Sequence, residues 1–321
     1  MNMKKIGLTA LAASLVSVSA ANAGSLSISG GASVGIGGYS SDTHNAGTSF
    51  TMGNQFTVSG GGELDNGLNV SLSYQLDNAA GVSGPFDDHS ITISSDEIGT
   101  IKFSGHGGSS ATSAMDATAA GDIWDGFDGA FGNAGVTGFT IGASGGTDNS
   151  IYYTAPSLMD GLTLNASYNP QGAQAESETG YGVTYTGVEG LTLKYATMDE
   201  DTGATATSGD QTAWHIGYAL GPITVEMTNN DYDMGTSTND KETSSYEISY
   251  TVSDELSIAY GTEEIDEGNT STDAEYSALV VTYTAGGMTI TGKMEEAENI
   301  AGGTASNQDV EYWFLGAAFA F

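Results

Sequence analysis

Between Gly67 and Tyr74 the chain reads Gly-Leu-Asn-Val-Ser-Leu-Ser-Tyr. In an extended backbone successive side chains point to opposite faces, so Leu68, Val70, Leu72 and Tyr74 share one face and Asn69, Ser71 and Ser73 the other. The same two-residue period returns at Leu162, Leu164, Ala166 and Tyr168, at Trp214, Ile216, Tyr218 and Leu220, and at Leu256, Ile258 and Tyr260. It recurs along the whole chain, and the three-and-four spacing of an amphipathic helix is poorly represented. Counted together, the runs predict about 16 strands, a number that falls within the range of outer-membrane barrels.

The connections between the runs alternate in length. Tight ones at Asp65-Asn66-Gly67, Met159-Asp160-Gly161, Val188-Glu189-Gly190, Gly221-Pro222, Ser253-Asp254-Glu255 and Ala285-Gly286-Gly287 have the chemistry of hairpin turns. Between them lie long acidic stretches rich in Gly, Ser and Thr at 199–210, 231–242 and 263–273, read here as loops. Short turns at one end and long loops at the other are the layout of a transmembrane β-barrel. A soluble sandwich has no reason to sort its loops in this way.

Alternation alone does not say which face meets water. In a soluble β-protein the apolar face packs inward, whereas in a membrane barrel it meets lipid and the polar face lines a lumen. Tyr concentrated at strand ends suits an interfacial girdle. The last residues, Tyr312-Trp-Phe-Leu-Gly-Ala-Ala-Phe-Ala-Phe321, place Trp313, Leu315, Ala317, Phe319 and Phe321 on one face. As the closing strand of a barrel, that face would lie in lipid. A terminal Phe321 preceded by Phe319 and Trp313 also resembles the sorting signal of bacterial outer-membrane proteins.

Composition sharpens this picture. The chain has 6 Lys and Arg against 40 Asp and Glu, a formal charge of −34. All six basic residues are Lys, which leaves no basic footprint for nucleic acid. Cysteine is absent, excluding thiolate nucleophiles, Cys metal sites and disulfides together. At the start, Lys4 and Lys5 precede an apolar run and Ala21-Asn22-Ala23, the pattern of a secretory signal peptide over residues 1–23. The run is shorter than the roughly 20 apolar residues of a membrane helix. Residues 24–321 are read as one domain, since composition shifts nowhere along them.

Two segments resemble the general porin family of Gram-negative outer membranes. Gly99-Thr-Ile-Lys-Phe-Ser-Gly-His106 resembles that family's G-T-V-R-L-G-R-Q strand before the constriction loop. Asn149-Ser-Ile-Tyr-Tyr-Thr-Ala-Pro156 with Gly161-Leu-Thr-Leu-Asn-Ala-Ser-Tyr168 resembles the N-S-V-R-Y-D-S-P … G-L … S-Y hairpin after it. The resemblance implies a 16-stranded barrel, usually a homotrimer, whose third loop folds into the lumen and narrows it. That loop would be 107–147, the longest gap in the strand pattern, and long gaps in compact proteins are usually functional. Its middle combines Asp116, Asp122, Asp125 and Asp128 with Ile123, Trp124, Phe127 and Phe131. The acids are expected to line the constriction, and Trp124, Phe127 and Phe131 to wedge the loop against the wall. A disordered, solubilising loop would have little use for four bulky hydrophobes in nine residues.

The family sets arginines on the wall opposite these acids. At the matching positions this chain has His106 and Tyr152, and only Lys102, Lys194 and Lys293 have the parity of lumenal cations. Acidic rings favour cations, so a cation-selective pore for ions and small hydrophilic solutes is the expected function. Bulk chemistry by catalysis is not expected. Asp87-Asp88-His89 could activate water in a barrel protease or lipase, but a solvated cluster is the plainer reading. His215 reads as a lumen wall residue. Acidic loops offer oxygens for weak Ca²⁺ binding and for bridges to lipopolysaccharide phosphates, although none has EF-hand spacing, and solubility alone explains them equally well. The rival to a membrane channel is a secreted adhesin or surface β-protein, also rich in Gly, Thr and Asp.

Overall fold

The computed structural model describes residues 25–40, 47–77, 87–115, 118–127, 148–170, 177–201, 208–268, 270–300 and 309–321. The leader expected over residues 1–23 lies outside them. Sixteen strands close into one antiparallel barrel, each bonded to its neighbours in sequence and the last to the first. They are β1 Ser25–Ser40, β2 Thr48–Glu63, β3 Asn69–Asp77, β4 His89–Ser95, β5 Gly99–His106, β6 Ser150–Thr154, β7 Leu162–Asn169 and β8 Glu178–Tyr185. The circuit continues through β9 Leu191–Glu200, β10 Gly209–Leu220, β11 Ile223–Met234, β12 Lys241–Thr251, β13 Leu256–Glu267, β14 Ala274–Ala285, β15 Met288–Glu298 and β16 Val310–Ala320.

Closure depends on the carboxyl-terminal strand. Along the β1–β16 ladder Gly31 pairs with Ala320, Ile36 with Leu315 and Tyr39 with Tyr312. The seam extends to the last residue, where Gly30 and Phe321 exchange both backbone hydrogen bonds at 2.7 and 2.9 Å. A closed barrel leaves no unpaired strand edge in lipid. The hairpin turns fall where the turn residues place them, with Gly161 and Gly190 at φ of 76° and 77°, a left-handed conformation that glycine adopts without steric cost.

The apolar face points out. Ile216, Tyr218, Tyr246, Ile248, Tyr260, Leu279, Trp313, Leu315 and Phe319 are exposed on the outer surface, while their neighbours along each strand face the lumen. The faces exchange character further up. On β13, Ile258 and Tyr260 point outward, and so do Glu264 and Asp266, while Ile265 between the two acids is wholly buried inside. Strand therefore extends into the margins of the acidic stretches expected to be loops at 199–210, 231–242 and 263–273: β9 reaches Glu200, β11 Met234 and β13 Glu267. The two-residue period persists there with its polarity reversed, because the outside has left the apolar zone and the inside has something to pack against.

The Tyr residues divide in the same way. Tyr246, Tyr250, Tyr260 and Tyr283 are exposed outside, as an interfacial girdle requires, whereas Tyr232 and Tyr276 are buried within.

Candidate pore constriction

What the upper inner wall packs against is the segment between β5 and β6. These strands have only 8 and 5 residues, against 12 each in β10 and β11, so the chain leaves the wall part-way along the barrel. Residues 110–115 and 118–127 then lie along the inner wall from β7 to β1 in three anchored steps.

In the first step Ala111 donates its N–H to Ser167 Oγ of β7 at 2.9 Å. Thr112 donates to Gln211 Oε1 of β10 at 2.8 Å, and Gln211 donates onward to Asn230 of β11 at 3.1 Å. Lys194 of β9 caps the single 3₁₀ turn Ser113–Met115, its Nζ donating to the Met115 carbonyl at 3.2 Å. Ala111 and Met115 bury themselves against Ala196 and Ala213. Small residues on the wall let the backbone of the loop approach.

The second step crosses β12 and β13. Ala120 N–H donates to Ser245 Oγ at 2.9 Å, and Trp124 N–H donates to Glu263 Oε2 at 3.0 Å. Glu263 is only 2% exposed. A methyl group at Gly261, two positions before Glu263 on the same face of β13, would collide with the Ala120 side chain. Within the loop, Thr118 and Asp122 bond reciprocally: Asp122 N–H donates to Thr118 Oγ1 at 2.7 Å, and that hydroxyl donates to Asp122 Oδ1 at 2.8 Å. This local closure holds Asp122 at φ 55°, a region that Asp tolerates better than most residues.

The third step is apolar. Phe127, at the end of the 3₁₀ turn Ile123–Phe127, is 1% exposed. Its ring lies 6.2 Å from Tyr39 of β1, 5.8 Å from Tyr276 of β14 and 6.4 Å from Tyr312 of β16, centroid to centroid. Ile123, Ile265, Ile300 and Val310 complete this core, with Trp124 packed at its edge. The Tyr39 hydroxyl donates to the Gly126 carbonyl. Beneath it Lys293 Nζ pairs with Glu295 at 3.1 Å.

Of the residues singled out from sequence, Phe127 is buried in this core and Trp124 lies at its edge. Asp122 and Asp125 are exposed on the loop. Asp116, Asp128 and Phe131 lie outside the described residues. On the wall formed by β5 and β6, Lys102 and Tyr152 are partners across the ladder. Lys194 and Lys293 face inward but are engaged, one by a loop carbonyl and the other by Glu295. His106 stands at the loop's root, its two ring nitrogens each 3.6 Å from a carboxylate, Asp88 and Asp148. His215 is a buried wall residue with Nε2 3.6 Å from Glu226. Trp313, Phe319 and Phe321 are exposed on the outer surface.

Sequence reasoning missed the receiving wall: Ser245, Glu263, Glu295, Tyr39, Tyr276 and Tyr312. A signal for it existed. Tyr312 has the lumenal parity of its strand, and an aromatic ring has no evident use on a wall that only meets water.

A closed 16-stranded barrel with an apolar exterior, a polar interior and a long segment docked inside defines a transmembrane channel of the outer membrane. The comparison with protein families agrees and is more particular: the family model described as Gram-negative porin matches residues 7–321. The chain belongs to that family. It is accordingly a passive channel and not an enzyme. No curated protein sequence matches it. Among solved structures it is similar to the anion-selective porin from Comamonas acidovorans, with 14% identity, a TM-score of 0.64, and 92% of this chain and 99% of that one covered. It is equally similar to a triple mutant of the Rhodopseudomonas blastica porin, with 16% identity, a TM-score of 0.64, and 92% and 100% covered. At such identities the likeness is one of fold, and the selectivity of either protein does not transfer.

Proposed function

We propose that this porin conducts cations in preference to anions, and that the docked loop sets the preference. The observation that carries the reading is the charge imbalance around the loop. Asp122 and Asp125 are exposed on it, Lys194 and Lys293 are already engaged, and Lys102 makes no ion pair among the described residues. A lumen bounded by fixed carboxylates concentrates cations and excludes anions. Asp116 and Asp128 would add to the same field, and Phe131 to the loop's packing. His106 and Tyr152, in place of the family's arginines, leave it weakly opposed. Solutes would be small and hydrophilic, moving down their gradients. Reconstitution in a planar bilayer under a KCl gradient tests this, since a zero-current potential of the sign for anion preference would refute it.

Export through a signal peptide over residues 1–23 and recognition of the Trp313, Phe319 and Phe321 face during assembly complete the proposal for residues 24–321. A homotrimer is supported by the outer side of β1 and β2. There Ala32 stands in register with Asn54, an exposed amide between Met52 and Phe56. A polar side chain in hydrocarbon is costly, and a neighbouring copy would cover it. Above Tyr246 and Tyr260 the outward acids Glu242, Glu264 and Asp266 lie where lipopolysaccharide headgroups would sit. Weakly held Ca²⁺ would bridge the two sets of negative charge.

A further inference from the structure

Asp87 and Asp88 are followed in sequence by His89, yet the histidine that joins them in space is His106, from the next strand. A bulge in the β4–β5 ladder brings this about: Ser90 pairs with Ser104 but His89 with His106, so Gly105 is the extra residue. The donor atoms of Asp87, Asp88 and His106 lie within 4.8 Å of one another.

The three side chains are held by ordered backbone. Asp87 N–H donates to the Gln75 carbonyl at 2.9 Å and Gln75 N–H to the Asp88 carbonyl at 2.8 Å, which continues the β3–β4 ladder past its last paired side chains. Gln75 Nε2 also donates to Asp87 Oδ2 at 3.4 Å. Gly107 follows His106 at φ 63°, and a Cβ there would collide with the Asp88 carboxylate. The turn thus needs glycine twice over, for its conformation and for the space that Asp88 fills.

The imidazole supplies the independent observation. Its Nε2 lies 3.6 Å from Asp148, whose other oxygen accepts the Gly107 N–H at 3.3 Å. Asp148 is fixed by the Gly107 N–H, and a neutral ring that turns its proton toward Asp148 keeps a lone pair on the other nitrogen. The other nitrogen, Nδ1, is buried, has no hydrogen-bond partner, and faces Asp88 at 3.6 Å. A lone pair aimed at two carboxylates is repulsive unless a cation lies between them. One imidazole and two carboxylates suit a first-row transition dication better than Ca²⁺, which prefers oxygen alone.

We propose that Asp87, Asp88 and His106 form a binding site for a divalent transition metal, of which Zn²⁺ is the representative, with Asp148 as the positioning residue for the imidazole. Bonds of about 2.0–2.2 Å to zinc require only that the side chains turn inward on a fixed backbone. A bound ion would tie the end of the β3–β4 connection to both roots of the long loop, His106 before it and Asp148 after it. The competing explanation is a doubly protonated His106 that pairs with Asp88 and Asp148 and needs no metal.

The test is calorimetric titration of ZnCl₂ into the folded barrel in detergent at pH 8, where an imidazole is neutral, with excess MgCl₂ to occupy non-specific acidic sites. The expected result is one saturable site per chain, weakened at least about tenfold in His106→Asn and in Asp88→Asn and unchanged in His89→Asn. Either of the first two variants suffices should the other fail to close its barrel. Absence of saturable binding at pH 8, or equal affinity in whichever of the two folds, would overturn the site.

Discussion

The carboxylate of Glu263 on β13 accepts the backbone N–H of Trp124, at 3.0 Å, across a separation of 139 residues. One buried acid of the wall thereby anchors the middle of the loop, beside the Ala120–Ser245 bond. Glu263→Ala removes the acceptor and leaves a buried N–H unsatisfied, a loss of about 1–3 kcal/mol. Single-channel recordings should show a noisier open level in this variant, with less change in Glu263→Gln, which retains an acceptor oxygen. Indistinguishable traces from wild type and Glu263→Ala would mean that this bond does not hold the loop.

Phe127 anchors the loop's far end. Phe127→Ala should weaken docking by about 3–5 kcal/mol, as large-to-small changes in packed cores do. The sixteen-strand ladder does not depend on that ring, so the heat-induced shift in gel mobility that reports barrel closure should stay as in wild type. Proteolysis of the folded protein should then cut within the loop faster. Loss of closure itself would place Phe127 in the folding of the barrel.

Gly261 tests the fit from the side of the wall. Gly261→Val adds bulk where even a methyl group would strike Ala120, so the loop must lift from β13. The expected outcome is a larger single-channel conductance, and an unchanged one would show that Ala120 can move aside at no cost to the pore.

On the outside, Leu315 is 53% exposed in the middle of β16 and pairs with Ile36 of β1. Leu315→Arg should destabilise the barrel in lipid vesicles by about 2–4 kcal/mol, the cost of a charge near the bilayer midplane. Denaturant titration followed by Trp fluorescence measures it, and a neutral effect would place the residue away from lipid.

The outer surface was legible because lipid imposes a simple rule. Leu256, Ile258 and Tyr260 repeat at two, and the turn glycines mark where the rule restarts. Above Tyr260 the rule ceases to apply, which is why Glu263, Glu264 and Asp266 read as loop although they continue β13. Lipid no longer selects the outer face there, and the inner face is selected by a segment far away in sequence. Ile265 carries that information, but it can be interpreted only once the partner is known. The same limit separates Phe127, a hydrophobe conspicuous among acids, from Glu263, one acid among many. It also explains Asp87-Asp88-His89, where adjacency suggested one histidine and the bulge at Gly105 supplies another.

Asp122 and Asp125 carry the claim about selectivity, and the zero-current potential under a KCl gradient, compared between wild type and the Asp122→Asn, Asp125→Asn double variant, addresses it most directly. The wild-type potential should have the sign of cation preference and the double variant should move toward zero at similar conductance. Identical potentials in the two proteins would contradict the account, because the field that selects ions would then arise elsewhere in the barrel.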